Sequence, residues 1–281
     1  MTPATYSHTA SFRPNELLAA LPDDERARIA PHMACFVLTP GEVLYEAGHA
    51  QPWVYFPCGA VVSLLHVIEN GNSIEIAMVG NEGMAGVANL LSGGAALDRA
   101  VVQSGGGALR VRAEAIRKEF TRGGSLQHVL LRHMQALMAQ TAQVAVCNRY
   151  HTVDRQLCRW LLMTLDRLPS NNVVITQEMV SHLLGVRRES VAAAAVALQR
   201  AGAIEYKHGH LEVIDRLRLE SLACECYKVA RAELARLLPW SSVAVSGASA
   251  ATESPGRSRV ADESRQRRAS GSGRSEFWPG S

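Results

Sequence analysis

Between residues 176 and 200 the chain reads TQEMVSHLLGVRRESVAAAAVALQR, two short amphipathic segments separated by one glycine. Val180, Leu183 and Leu184 give the first an apolar stripe, and Val191, Ala195 and Leu198 give one to the second, at the spacing of helices buried on one face. Thr176 is the expected N-cap of the first helix. Gly185 stands where a left-handed residue lets one helix stop and the next leave at a steep angle, and Val186 can plug the junction. The pattern predicts a helix-turn-helix, although an ordinary helical hairpin shares the periodicity. Arg188 and Glu189 shift the balance toward DNA. They lie in the first turn of the second helix, where a helix docked end-on into a major groove meets base edges. Arginine can bond two guanine acceptors, and glutamate can accept from the cytosine amino group, which suits G·C pairs.

A chain of 281 residues with 47% hydrophobic content has room for two domains with their own cores. The predicted class is α+β. Residues 14–21 open an amphipathic helical run. From 36 to 111, short β-rich runs (36–38, 43–45, 54–56, 61–67, 74–79, 100–103 and 108–111) alternate with Pro and Gly turns, among them Pro40-Gly41, Asn70-Gly71 and Gly105-Gly106-Gly107. Many short strands with such turns predict a jelly roll or barrel, and the jelly roll is expected. The expected domains are 1–120 (roll with a helical arm), 121–151 (long helix), 152–238 (winged helix-turn-helix) and 239–281, a Ser, Ala, Gly and Arg-rich tail expected to be disordered.

The long helix, about 126–151, carries Leu130, Met134, Leu137, Thr141, Val144 and Asn148 in alternating steps of four and three. That is a heptad seam. A second row, Leu131, Met138 and Ala145, flanks it. One row is expected to lie on the chain's own roll and the other to be left for a partner.

Lys and Arg minus Asp and Glu give −4 for residues 1–120, +5 for 121–240 and +2 beyond. The basic part contains the helix-turn-helix, which favours phosphate contact. No apolar run is long enough to cross a bilayer and the start of the chain lacks a signal-peptide pattern, so a cytoplasmic protein is expected. Six scattered cysteines predict reduced thiols rather than a disulfide framework. An enzyme is not expected: there is no phosphate loop, HExxH, Gly-x-Ser-x-Gly elbow or spaced catalytic carboxylate pair.

At Ile175-Thr176-Gln177-Glu178, Gly185, Arg188-Glu189-Ser190-Val191, Leu198 and Gly202-Ala203-Ile204 the sequence resembles the Crp/Fnr family of bacterial transcription regulators. The resemblance continues through 205–213, where Gly209 turns a two-stranded wing. It implies a cyclic-nucleotide-binding-like roll, a dimerisation helix and a winged helix-turn-helix, with double-stranded DNA and RNA polymerase as partners. It also implies a homodimer, paired through Leu130, Met134, Leu137, Thr141, Val144 and Asn148, on a near-palindromic operator. The expected DNA-contacting set is Thr176, Gln177, Arg187, Arg188, Glu189, Ser190, Lys207 and His208, with Arg188 and Glu189 reading bases. Two departures stand out: Ala193 occupies a position often held by a second polar reader, and Arg187 one held by a serine cap. On these the alternative rests, a ligand-responsive signalling module that no longer binds DNA specifically.

The family's nucleotide cassette corresponds to 83–100. Val87 stands where a ribose-binding acid is expected, and Asp98 and Arg99 stand near the arginine and serine positions. Asp98 repels a phosphate, while Arg99 can substitute with a one-residue shift. No intact cyclic-AMP site is therefore expected, and the effector pocket of Val87, Asp98 and Arg99 awaits an unidentified small effector or none. No cofactor or metal is expected either. The N-terminal part has only Cys35 and Cys58 for an iron–sulfur cluster, and His66 and His128 read as core or surface residues rather than haem ligands. Cys224 and Cys226, two apart on a predicted helix near His208 and His210, point to different faces, against a zinc site.

Overall fold

The β-branched runs between the Pro and Gly turns form seven antiparallel strands: β1 (Met33–Leu38), β2 (Val43–Tyr45), β3 (Trp53–Pro57), β4 (Val61–Val67), β5 (Ser73–Val79), β6 (Arg99–Ser104) and β7 (Gly106–Arg112). The computed structural model describes residues 13–91, 95–207 and 209–241 (without the side chain of Asn89). The strands make two sheets, ordered β1-β7-β3 and β2-β6-β4-β5. Leu38, Val62, Leu64, Val79, Ala100 and Val102 are buried between them, and Leu137 closes that core from outside the roll. At Gly106 a Cβ would come within 2.6 Å of the Ala60 backbone, so β7 can cross there only as glycine.

Two short helices precede the roll, α1 (Glu16–Ala19) and α2 (Asp23–Ile29). Asn15 caps α1 by accepting from the Leu18 N–H at 3.0 Å. Helix α3 (Ala88–Leu91) lies between β5 and β6. After β7 comes α4 (Ala113–Arg122), a helix not anticipated from the sequence, and then α5 (Ser125–Tyr150). Helix α5 has no side-chain N-cap of its own. Glu25 of α2 supplies the function from a distance, accepting from the N–H groups of Ser125 and Leu126 at 2.8 and 2.7 Å.

The heptad seam read from the sequence faces the opposite way from the expectation. Leu130, Met134 and Leu137 are buried against the roll and the N-terminal helices, and Val144 is buried within its own chain as well. Thr141 alone of the six is exposed, and Asn148 is half-buried. The second row is the outward one: Leu131 is 48% and Met138 73% exposed, and Ala145 is exposed as well. Both rows are apolar, but beside the inner one Gln140 Oε1 accepts from the Met78 N–H of β5 at 3.3 Å, and His133 meets the Gly83 turn. There the His133 ring sits so close that a Cβ on Gly83 would be 2.3 Å from it. Burial pushes the His133 pKa down, and its Nε2 lies 3.1 Å from the Met84 nitrogen and 2.9 Å from the Met84 carbonyl oxygen.

The C-terminal part consists of α6 (Val153–Leu165), β8 (Asn172–Val174), α7 (Gln177–Leu184), α8 (Arg188–Arg200), β9 (Ile204–Lys207), β10 (His210–Val213), α9 (Arg216–Leu222) and α10 (Glu225–Leu237). Its sheet runs β8-β10-β9. Its core, around Trp160, Leu161, Val180, Val191, Leu198 and Leu211, also takes in Val61, Leu65 and Met78 from the roll. Polar groups cross the same boundary: Gln103 donates to Thr164 Oγ1 at 2.8 Å, and Arg167 pairs with Glu82. Trp240, assigned from the sequence to a disordered tail, packs instead against Ala136, Leu234 and Leu237, because its indole finds an apolar seat beside α5. The remainder of that tail, from 242, lies outside the described residues.

Candidate nucleic-acid interface

Thr176 caps α7 by accepting from the Met179 N–H at 3.1 Å. At the other end Gly185 adopts φ 67° and ψ 32°, and its N–H together with that of Val186 reaches the Ser181 carbonyl. This is the left-handed stop that the glycine was expected to supply. The turn is braced from the roll: a Cβ on Gly185 would stand 3.0 Å from Ile74 Cδ1, and Ser73 Oγ donates to the His182 carbonyl at 3.3 Å. Between the β4–β5 hairpin and this turn lies a cleft of about 530 Å³, with His66, Ile68, Asn72, His182 and Arg187 on its walls.

Helix α8 buries Val191, Ala194, Ala195 and Leu198 and turns its start outward. Arg187, Arg188 and Glu189 are exposed and Ser190 is half-buried. Arg188 and Glu189 make no ion pair with another described residue. Arg187 is the N-cap and makes no side-chain cap bond, as the missing serine implies. Glu189 in the first turn offsets part of that loss by meeting the positive end of the helix dipole. Further along the exposed face stand Ala193, the position of the missing polar reader, and Val196 and Ala197, which together make a methyl-rich strip. Small apolar side chains on a recognition helix contact the C5-methyl group of thymine.

Thr176 is exposed and Gln177 half-buried at the start of α7. In the wing Lys207 is exposed and paired with Glu205, and Tyr206 ties the hairpin to the strand before α7 by donating to the Ile175 carbonyl at 2.7 Å. His208 lies outside the described residues; Gly209 takes φ 82° at the hairpin turn.

The three effector residues named from the sequence are not gathered round one cavity. Val87 packs into the roll's cores. Asp98 accepts from Tyr45 Oη at 2.9 Å, and burial pushes its carboxyl up. Arg99 pairs with Glu46 at 3.1 Å and lines a cleft of about 300 Å³ beside Ser63, Gln103 and Met179, which neither Val87 nor Asp98 reaches.

Residues 155–222 match the family model of the Crp-like helix-turn-helix domain. No curated protein matches the chain. Among solved structures, a protein described as a Crp/Fnr-family transcriptional regulator from Eubacterium rectale is similar, with TM-score 0.60 and 14% identity over 73% of this chain and 96% of its own. FixK2 from Bradyrhizobium japonicum gives 0.57 and 15% over 68% and 98%. A CRP-family transcriptional regulator from Thermus thermophilus gives 0.56 and 20% over 67% and 96%. At such identities the likeness is one of fold. No helix among the described residues is long and apolar enough to cross a membrane.

Proposed function

We propose that this chain, whose residues 155–222 match the Crp-like helix-turn-helix domain, is a Crp/Fnr-type transcriptional regulator that acts as a homodimer on a near-palindromic operator. The observation that carries this reading is the exposed Arg188-Glu189 pair at the outward start of α8, free of ion pairs to other described residues. Arg188 reads guanine and Glu189 the cytosine amino group, while Ala193 and Val196 lie against thymine methyl groups. Thr176, Gln177, Arg187, Ser190, Lys207 and His208 hold phosphates and set the register.

Dimerisation runs through the outer row of α5. Leu131, Gln135, Met138, Ala142, Ala145 and Arg149 repeat in steps of four and three and are all exposed, and the two alanines allow close helix approach. Paired helices set two reading heads about 34 Å apart, one DNA turn. In the cytoplasm the roll senses an unidentified signal, and the bound dimer acts on RNA polymerase.

Selection of duplexes from a random DNA pool by the full chain, at near-physiological salt and without added ligand, tests this. Enrichment of a two-fold symmetric site with a G·C pair in each arm is expected. Failure to enrich any sequence favours the alternative, a signalling module without specific DNA binding, for which the uncapped α8 and Ala193 speak.

A further inference from the structure

Four side chains meet where the long helix ends and the last helix begins. Cys147 and His151 sit one turn apart at the end of α5. Cys224 and Cys226 flank the start of α10. Their ligand atoms all lie within 4.8 Å of one another. Cys147 Sγ is 3.6 Å from Cys224 Sγ, and Cys226 Sγ is 3.4 Å from His151 Nδ1. The three thiols are buried, at 0%, 3% and 0% exposure for Cys147, Cys224 and Cys226, and they pack on one another as a separate cluster.

The expectation that Cys224 and Cys226 face apart presumed a helix through both. Cys224 is instead the N-cap of α10, with extended backbone (φ −76°, ψ 165°), and only Cys226 is helical. An extended residue followed by the first helical turn brings both sulfurs to one side. Among the described residues their partners are Cys147 and His151, about 75 residues away along the chain.

We propose that Cys147, His151, Cys224 and Cys226 form a tetrahedral zinc site. With Zn–S near 2.3 Å and Zn–N near 2.0 Å, a tetrahedral ion spaces its ligand atoms by about 3.6–3.8 Å, and the two measured contacts already sit near that edge. Three thiolates and one imidazole are the soft, closed donor set of structural zinc. A polynuclear iron–sulfur cluster holds its thiolates further apart than this group stands. His151 Nε2 lies 3.2 Å from the Glu225 carboxylate, which fixes the tautomer that leaves Nδ1 free to ligate. Zinc with three thiolates carries one net negative charge, and the buried Arg159 guanidinium, which interacts with Cys147, offsets it.

The site's place in the fold gives the ion a role. Between His151 and Cys224 the chain makes α6, the helix-turn-helix, the wing and α9. The ion therefore joins the two ends of the whole reading head and ties both to α5. Binding zinc fixes the head's root on the long helix. Because the ligands must lose their protons and come together, loading stabilises the folded chain.

The test uses the full chain, reduced, stripped with chelator and titrated with Co2+ as a spectroscopic probe. Thiolate-to-cobalt charge-transfer bands and the visible bands of tetrahedral cobalt are expected to saturate at one ion per chain and to vanish when Zn2+ displaces cobalt. Cys147→Ser and Cys224→Ser should abolish this signal, and Cys35→Ser should leave it intact. Because a core cysteine variant can fail to fold, Glu225→Gln provides a second reading: the carboxylate is exposed, and its loss should weaken cobalt affinity about 10- to 100-fold. A reduced, folded chain that takes up no tetrahedral cobalt overturns the proposal. So does a signal that survives Cys147→Ser or is unmoved by Glu225→Gln. None of these readings depends on DNA binding.

Discussion

The Arg167 guanidinium donates from Nε to the Glu82 carboxylate at 2.8 Å, with the two side chains 0% and 2% exposed. Arg167 follows α6 and Glu82 follows β5, so the pair joins head to roll inside a shared core. A second guanidinium nitrogen donates to the Met163 carbonyl at 2.8 Å. Removing one partner strands a buried charge, so Arg167→Ala should cost about 3–5 kcal/mol in urea unfolding. The double variant Arg167→Ala/Glu82→Ala should lose clearly less than the sum of the two single losses.

Glu75 on β5 is buried and hydrogen-bonded by Ser63, and burial raises its pKa to about 7 despite that bond. A carboxyl raised in the folded state ionises first in the unfolded chain. Stability is therefore highest at low pH on this account and falls as pH rises from about 4.5 through about 7. The displacement corresponds to about 3 kcal/mol, all of it lost above pH 7. Glu75→Gln should gain stability on wild type at pH 8 and show little gain at pH 5, as read from urea midpoints. An equal gain at both pH values would remove Glu75 as the titrating group.

On α5 two neighbouring residues should behave oppositely. Met138 is 73% exposed, whereas Leu137 is 8% exposed and packs on the roll. Met138→Asp should convert a dimer to monomer in sedimentation while leaving the melting temperature of the monomer within a few degrees. Leu137→Ala should instead cost about 2–5 kcal/mol of folding stability. A dimer that survives Met138→Asp would put the interface elsewhere.

For DNA, Arg188→Ala should weaken binding to a selected site by about 1–3 kcal/mol and leave random duplex nearly unaffected. Lys207→Ala should weaken both alike and lower the salt dependence, as loss of a phosphate contact does. Equal losses on both duplexes for Arg188→Ala would remove it from the base-reading role.

The helix-turn-helix was legible because its signals are local: a threonine cap, a left-handed glycine and two apolar stripes. The seven strands were legible for the same reason, each bracketed by its own turn residues. What sequence left open were relations between elements. The two rows of α5 are chemically alike, and packing against the roll and the N-terminal helices, elements distant in sequence, decides that Leu130, Met134 and Leu137 face inward. Helix α4 passed unnoticed between β7 and α5. The cysteine cluster was missed because one residue, Cys224, caps its helix rather than joining it, and because its partners lie on α5. The helix boundary was the only available signal: Ala223 also has extended backbone, so the chain is not helical on entering Cys224.

Val61, Leu65 and Met78 of the roll sit in the same core as Trp160 and Leu161 of α6. A head that swivels away from the roll must wet these side chains, each at a cost of about 1.5–3 kcal/mol when fully uncovered. Reorientation therefore starts from a strongly biased equilibrium. A stimulus whose preference between the two arrangements falls short of that sum multiplies the swivelled population but leaves the docked arrangement in the majority. In signalling terms the shared core acts as a noise filter, set by three aliphatic side chains.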